Sequence, residues 1–307
     1  MDSGLVSAII PTYEDGEYLA RALRSVSSQT YDPIEAIVVD SAGSARVREL
    51  VDRYPFATYV YDPPTGVAAA RNRGIEASDG EYIALLDADD EWFPTKTARQ
   101  VRRLEEEGAD FVYSQQYRED SGILELRPGL SLLDDHKPPH VAYFARGGGI
   151  GSRTVLFRRE CFEAERFWET LEGHEDPNLW VRLLAEFRAT KVEAPLAVKH
   201  RRDDSLSSDM VMMGRNEQQS IAMLIDRYPE LEPYASERRR RAMYTCAKGH
   251  LSDGNAKAAR KCLRTVGHRD VAGRVDVRVP ILLLVSVLPF GCDRAFERLR
   301  RVYAFVQ

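Results

Sequence analysis

From Val6 to Leu86 the chain alternates short apolar runs with stretches of helical spacing, and few folds tolerate that pattern. Val6-Ser7-Ala8-Ile9-Ile10 is a β-rich run ended by Pro11. Ile34 to Val39, Thr58 to Tyr61 and Tyr82 to Leu86 are three more runs of the same kind. Between them, Asp15 to Gln29 carries Leu19, Leu23 and Val26 in helical phase, and Ser44 to Tyr54 carries Val47, Leu50 and Val51. Val67 to Ala77 is a third helical stretch, rich in alanine. Strands alternating with helices predict an α/β unit with a mostly parallel sheet flanked by helices. Right-handed crossovers follow by default.

The pattern continues with less regularity. Lys96 to Glu107 and Pro177 to Phe187 read as helices; Asp110 to Gln116, Thr154 to Arg158 and Lys191 to Lys199 read as strands. Pro128, Pro138, Pro139 and the Gly147–Gly149 run mark residues 118–150 as loops. After about residue 205 strand signals stop, and Asn216–Tyr228, Pro233–Leu251, Asn255–Val266 and Asp293–Val306 are candidate helices. The expected organisation is therefore an α/β domain over 1–205 and an α-helical region over 206–307.

Composition excludes several classes. A chain of 307 residues with 44% apolar content can bury a sizeable core. Its net charge of −5 is unevenly placed: residues 1–205 carry a net −12 and residues 206–307 a net +7. The acidic front speaks against a nucleic-acid partner. The four cysteines, Cys161, Cys246, Cys262 and Cys292, form no C-x-x-C pair and fit free thiols in a reducing cytoplasm. The start of the chain has no basic region followed by an apolar one, so a secretory signal is not expected. The longest apolar run, Ile281 to Leu288, falls well short of the roughly 20 residues a membrane span needs.

In open α/β sheets, ligands bind beyond the carboxyl ends of the strands. Here those ends carry Pro11-Thr12-Tyr13, Asp40-Ser41 and Asp87-Ala88-Asp89-Asp90. Acidic groups facing one crevice call for a cation, and hard oxygen ligands suit Mg²⁺ or Mn²⁺. An acidic turn capping the helix that starts near Pro94 is the alternative reading. Gly147-Gly-Gly-Ile-Gly151 lacks the strand and helix flanks of a dinucleotide fingerprint and reads as a loop near an acceptor site. A nucleophilic-serine elbow and a P-loop are both missing from the sequence.

Five motifs then occur in order: Val6-Ser-Ala-Ile-Ile-Pro-Thr-Tyr, Leu23-Arg-Ser-Val-Ser-Ser-Gln-Thr-Tyr, Ile37-Val-Val-Asp40, Gly66-Val-Ala-Ala-Ala-Arg-Asn-Arg-Gly74 and Gly80-Glu-Tyr-Ile-Ala-Leu-Leu-Asp-Ala-Asp-Asp90. The match resumes at Thr154-Val-Leu-Phe-Arg-Arg, at Glu175-Asp-Pro-Asn-Leu-Trp-Val-Arg-Leu and at His200. This resembles the family 2 glycosyltransferases, inverting enzymes of the GT-A (Rossmann-like) fold that take sugars from nucleotide-diphosphate donors. The resemblance implies that Pro11, Thr12 and Tyr13 hold the nucleotide base and that Asp40 accepts a hydrogen bond from it. The run Asp40-Ser41-Ala42-Gly43-Ser44 departs from the acidic residue and Gly-Ser that usually follow.

By the same resemblance Arg71 reaches the base or the diphosphate, and Asp87 and Asp89 form a D-x-D motif with a divalent metal, Mn²⁺ or Mg²⁺. Asp89 would ligate it directly and Asp87 would face the ribose or the outer shell. His200 would bind metal or phosphate. Asp176 would be the general base for an acceptor hydroxyl, with Glu175 helping to set the site; Asp176 before Pro177 is also a natural helix cap.

The expected partners are a nucleotide-diphosphate sugar and a saccharide or lipid-linked acceptor. A sugar-nucleotidyltransferase would need a Gly-rich basic loop after the first strand, where Pro11-Thr-Tyr-Glu-Asp stands. A non-catalytic binder would have no need of Asp87, Asp89 and Asp176. The Arg238–Arg241 run, the Ile281–Leu288 stretch and the basic last helix are consistent with contact to a membrane's cytoplasmic face. A helical bundle with those apolar residues in its core is the other reading.

Overall fold

A computed structural model describes residues 2–13, 16–131, 136–202, 205–267 and 278–286, and divides the chain into two compact units, Met1–Arg202 and Asp203–Gln307. The first unit begins with strand β1 (Asp2–Thr12), helix α1 (Gly16–Ser27), β2 (Ile34–Asp40), α2 (Ala45–Val51), β3 (Ala57–Tyr61), α3 (Val67–Glu76) and β4 (Gly80–Leu85). It continues with β5 (Glu91–Trp92), α4 (Lys96–Glu107), β6 (Phe111–Asp120), β7 (Ile123–Arg127), α5 (Pro139–Arg146), β8 (Val155–Arg158), α6 (Glu160–Ala164), α7 (Glu175–Glu186) and β9 (Ala189–His200).

One sheet takes the strands in the order β3-β2-β1-β4-β8-β6-β9-β5, with β7 paired to β6. The alternating front half supplies its parallel part, since β3, β2, β1 and β4 run together. The other half is mixed. Strand β8 lies antiparallel to both β4 and β6, β5 is antiparallel to β9, and only β6 and β9 are parallel there. The chain enters β8 from the 147–154 segment that follows α5, running against both of its neighbours.

Residues 118–150, expected as loops, hold more structure. β6 continues to Asp120 and turns through Ser121-Gly122, both at positive φ, into β7. Pro139 opens α5, where a missing backbone donor costs nothing. Every residue of β7 is exposed, so its apolar Ile123, Leu124 and Leu126 give no alternation by which a half-buried strand could be read.

The core sits where the apolar runs meet the helices. Val6, Ala8, Ile10, Ala36, Val38 and Ala84 on the sheet pack against Leu19, Leu23 and Val26 of α1 and Val47 and Val51 of α2. A second, aromatic cluster lies under α7: Phe157 stacks on Phe111 and Trp180, and Phe162 and Phe167 close around them. It fixes the helix that carries Glu175 and Asp176.

In the second unit, α8 (Met210–Arg227) and α9 (Glu232–Ser252) run antiparallel and are followed by α10 (Ala256–Val266) and α11 (Arg278–Val285). Gly214 lies against Cys246 and the Ala242 carbonyl, and Gly249 against Val211, so the first two backbones nearly touch. Val279 and Leu282 join Ala247, Leu251, Ala259 and Leu263 in the core of this unit. The apolar stretch from Ile281 is thus partly internal, as a bundle requires. Cys161, Cys246 and Cys262 are free and buried. Among the described residues no helix is long and apolar enough to cross a membrane. The candidate helix Asp293–Val306 lies outside the described residues.

Helix α3 approaches the sheet through Gly74. A Cβ there would stand 2.5 Å from Ile9 Cγ2 and 3.1 Å from Val39 Cγ2. Overfilling such a contact costs about 1–3 kcal/mol. Gly74→Val should therefore lose about 2–3 kcal/mol in urea denaturation, with the midpoint lowered and the slope unchanged. A midpoint equal to wild type would show that α3 is free to move off the sheet.

Candidate active site

Parallel register brings three motif ends side by side. Thr12 is level with Asp40 across the β1–β2 pair, and the Leu86 amide bonds to the Ile9 carbonyl just before Asp87. The carboxyl ends of β2, β1 and β4 therefore open onto one rim. Thr12 is buried and its Oγ1 has no hydrogen-bond partner among the described residues, while the Tyr13 ring beside it is exposed. An orphaned hydroxyl next to an open aromatic face is suited to a planar heterocycle. Pro11 precedes them, half-buried.

Asp40 behaves otherwise. It is wholly buried, and its two oxygens accept from the Ala42 amide at 2.9 Å, the Ser44 amide at 2.7 Å and the Tyr59 hydroxyl at 3.0 Å. The resemblance gave it a nucleobase to bond; in this structure it ties its own loop, because Ser41-Ala42-Gly43-Ser44 turns its amides back on the carboxylate.

Arg71 also departs from expectation. It lies 3% exposed on α3 and does not point out toward a diphosphate. Its Nη1 donates to Glu175 Oε1 at 2.6 Å and Asp176 Oδ1 at 2.7 Å, and its Nη2 donates to Asp87 Oδ1 at 2.8 Å. The guanidinium rests over the Phe167 ring, 5.4 Å from its centroid. One buried cation thus joins two acidic motifs that lie far apart in the chain. The neighbouring Asn72 holds the same region, exchanging hydrogen bonds with the Phe167 backbone and bonding Glu169.

The opposite oxygen of Asp87 accepts from Ser152 Oγ and Arg153 Nη2, both at 3.1 Å. Burial alone would raise this carboxyl, but Arg71 and Arg153 hold it far below the ordinary aspartate value. Asp89 differs. Burial and the charge of Asp87 raise it; Arg202 lies 3.7 Å from its carboxylate, and Arg21 donates to its backbone carbonyl. Asp90 turns inward to Arg153 and the His200 amide, and burial pushes it up to about 7. Among the described residues no three Asp, Glu, His or Cys side chains converge as ligands for a metal. His200 stands apart from Asp89, with its ring nitrogens 3.4 Å from Glu91 and Glu119. The oxygen set still fits a hard cation: Asp89 is an under-compensated anion on the rim, and its carboxylate is the less engaged member of the pair.

Glu175 and Asp176 lie inside the first turn of α7, whose cap is His174 in the left-handed conformation. Asp176 is therefore not the cap its neighbour Pro177 implied. The helix dipole favours carboxylates at this end. Burial and the charge of Asp176, opposed by Arg71, raise Glu175 above the ordinary glutamate range.

The family model for "Glycosyl transferase family 2" matches residues 7–164. This chain belongs to that family. The glycosyltransferase is 31% identical over 208 residues to the amylovoran biosynthesis glycosyltransferase AmsB of Erwinia amylovora, spanning 63% of this chain and 69% of AmsB. It is 29% identical to the Escherichia coli enzyme WfaP, named a UDP-Glc:α-D-GlcNAc-diphosphoundecaprenol β-1,3-glucosyltransferase, over 59% of this chain and 71% of WfaP. Its fold matches S. aureus TarS 1–349, a structure in complex with UDP-GlcNAc, at a TM-score of 0.63 and 15% identity, over 91% of this chain and 84% of that one. The fold is thus the mixed α/β architecture of GT-A enzymes with a helical C-terminal region.

In this glycosyltransferase, Ser152 and Arg153 join the site without having been read from the sequence. Their partners are the acidic residues 87–90, so nothing local marks them. The Gly147–Gly151 loop leads directly into Ser152, which places that loop beside Asp87.

Glu175 supplies a pH test. A raised folded-state value means that its contribution to stability is complete below its ordinary 4.5 and is lost as pH rises through the raised value. Wild type should therefore lose about 1–3 kcal/mol relative to Glu175→Gln between pH 5 and pH 8 in urea denaturation. Parallel pH curves for the two proteins would show that Glu175 is not held in this environment.

Proposed function

We propose that the chain transfers a sugar from a nucleotide-diphosphate donor to an acceptor hydroxyl with inversion, using Asp176 as general base and a divalent cation at Asp89. The observation that carries this reading is the Arg71 bridge, which sets Asp176 and Glu175 against the strand-end carboxylate Asp87. A base must stand within reach of both the acceptor and the donor's anomeric carbon. In this arrangement the two acidic motifs share one guanidinium.

Asp176 Oδ1 is taken by Arg71, and Oδ2 has no partner among the described residues. The acceptor oxygen attacks the anomeric carbon from the face opposite the diphosphate. Its proton passes to Asp176 Oδ2 as the new C–O bond forms. The bond from carbon to the diphosphate oxygen breaks, and the nucleoside diphosphate leaves with the electron pair. Thr12 and Tyr13 hold the base in this reading, and Arg202 stands near the phosphates. A cation at Asp89 would supply Lewis-acid neutralisation of the leaving group.

Nucleotide sugars in the names of WfaP and of the TarS complex support the donor class. The diphosphoundecaprenol-linked acceptor in WfaP's name supports a lipid-linked saccharide as the acceptor. The Arg238–Arg241 run adds little to a membrane reading, because its members face carboxylates: Arg238 is buried on Glu217, Arg239 lies near Glu232, and Arg240 and Arg241 meet Glu237.

The first measurement is thermal stability against ADP, CDP, GDP and UDP, with and without Mn²⁺, in wild type and Asp89→Ala. Binding to the folded state raises the melting temperature by mass action. One nucleotide should stabilise wild type only with Mn²⁺, and Asp89→Ala should lose that response. A metal-independent shift retained in Asp89→Ala would refute the cation site.

Asp176→Asn should bind the same nucleotide with unchanged affinity and transfer sugar about 10²–10⁴ times more slowly. A variant with near-wild-type turnover would remove Asp176 from the base role.

A further inference from the structure

Three side chains on β5 and α4 reach across to one turn. Trp92, Lys96 and Gln100 recur every four residues and are all buried, with Lys96 and Gln100 wholly so. Trp92 Nε1 donates to the Arg153 carbonyl at 2.9 Å, Gln100 Nε2 to the Thr154 carbonyl at 2.7 Å, and Lys96 Nζ to the Val155 carbonyl at 3.2 Å. Three donors in a row thus satisfy three consecutive backbone acceptors. The segment they grip is the 3₁₀ turn Ser152–Thr154 and the first residue of β8. Ser152 and Arg153, whose side chains hold Asp87 and Asp90, stand on it.

Lys96 is the unusual member. Its ammonium lies over the Trp92 ring, 4.2 Å from the centroid, and among the described residues it has no carboxylate partner. Burial holds its pKa well below the ordinary lysine value. A lysine so placed is costly to the fold. A methionine would fill the same volume without that cost. Packing does not explain the residue, whereas a donor of this length aimed at Val155 does.

We infer that Trp92, Lys96 and Gln100 are positioning residues for the donor site: they fix the 152–155 turn that aims Ser152 and Arg153 at Asp87 and Asp90. The turn follows the glycine-rich 147–151 loop, where Gly147, Gly148 and Gly149 adopt positive φ, so its backbone carbonyls depend on these donors while its side chains face the acidic residues. With one carbonyl released, the turn rotates, Asp87 loses its second set of donors, and the acidic rim no longer presents a fixed geometry to a diphosphate. The inference rests on the donor-site reading given under Proposed function.

The test uses the full chain as wild type, Lys96→Met, which nearly keeps its packing volume, and Trp92→Phe, which keeps a smaller aromatic ring; each removes one donor. Melting temperature is measured without ligand. Affinity is then measured by calorimetry, in saturating Mn²⁺, for whichever of ADP, CDP, GDP and UDP binds wild type most tightly. Both variants should melt within about 4 °C of wild type and bind about tenfold more weakly, the usual effect of removing a group that orients a ligand's direct contacts.

In a Ser152→Ala background, Lys96→Met should cost less affinity than in wild type, because part of its effect runs through Ser152. A merely structural role would lower the melting temperature and leave affinity alone. Folded variants that bind as tightly as wild type overturn this inference by itself. A wild type that binds none of the four nucleotides overturns the donor-site reading, and this one with it. Should Lys96→Met fail to fold, the affinity of Trp92→Phe decides between the same outcomes.

Discussion

Three carboxylates cannot be brought together in a nearly dry site without a cation, and Arg71 is that cation. Asp87 arrives at the end of β4, and Glu175 and Asp176 arrive on the first turn of α7. Their mutual repulsion would drive these segments apart. A guanidinium suits the task because its donors sit in a rigid fork and it never loses its charge. Helix α3 delivers it through its small residues: Ala68, Ala69 and Ala70 are buried, and Gly74 lets the helix lie close on β1 and β2. From there charges alternate outward, from Glu175 and Asp176 to Arg71, then Asp87, Arg153 and Asp90. Each buried ion in that series has an opposite neighbour, which is the condition for burying any of them.

That arrangement explains what could and could not be read from the sequence. The strand ends were legible to within about two residues, because the apolar runs close at Pro11, Asp40 and Asp87 and the strands stop at Thr12, Asp40 and Leu85. The placement of Glu175 and Asp176 beside Asp87 was not, since it depends on Arg71 turning inward. An arginine in an alanine-rich helix start has the same sequence signature whether it points out or in. Asp40 is a related case. Its partners Ala42 and Ser44 were visible in the sequence, but Tyr59 comes from the next strand, and only burial reveals that its oxygens are all engaged. Arg153 had no local signal at all, since its carboxylates lie 63 and 66 residues away.

The helical unit carries the same lesson about charge. Its net positive balance suggested a surface awaiting an anionic partner, with Arg238–Arg241 as the densest cluster. Arg238 instead crosses from α9 to Glu217 on α8 at 2.7 Å and is buried there. The close approach of the two backbones at Gly214 and Gly249 is what makes such a short crossing feasible. Net charge counts residues, whereas a docking surface depends on which of them remain in water.

Two aspartates separated by a single residue show how a fold divides labour between like groups. Asp87 accepts from Arg71, Ser152 and Arg153 and is held far into its ionised form. Asp89 has Arg202 at the edge of ion-pair range and is pushed the other way by burial and by Asp87 itself. The first is an anchor whose oxygens are engaged by the protein, so it has little left for a ligand. The second is left with charge to be neutralised from outside. Environments that drive neighbouring titratable groups in opposite directions separate a structural role from a chemical one. The chain turns between the two, with the Asp90 amide bonded to the Asp87 carbonyl, so carboxylates two residues apart meet different surroundings.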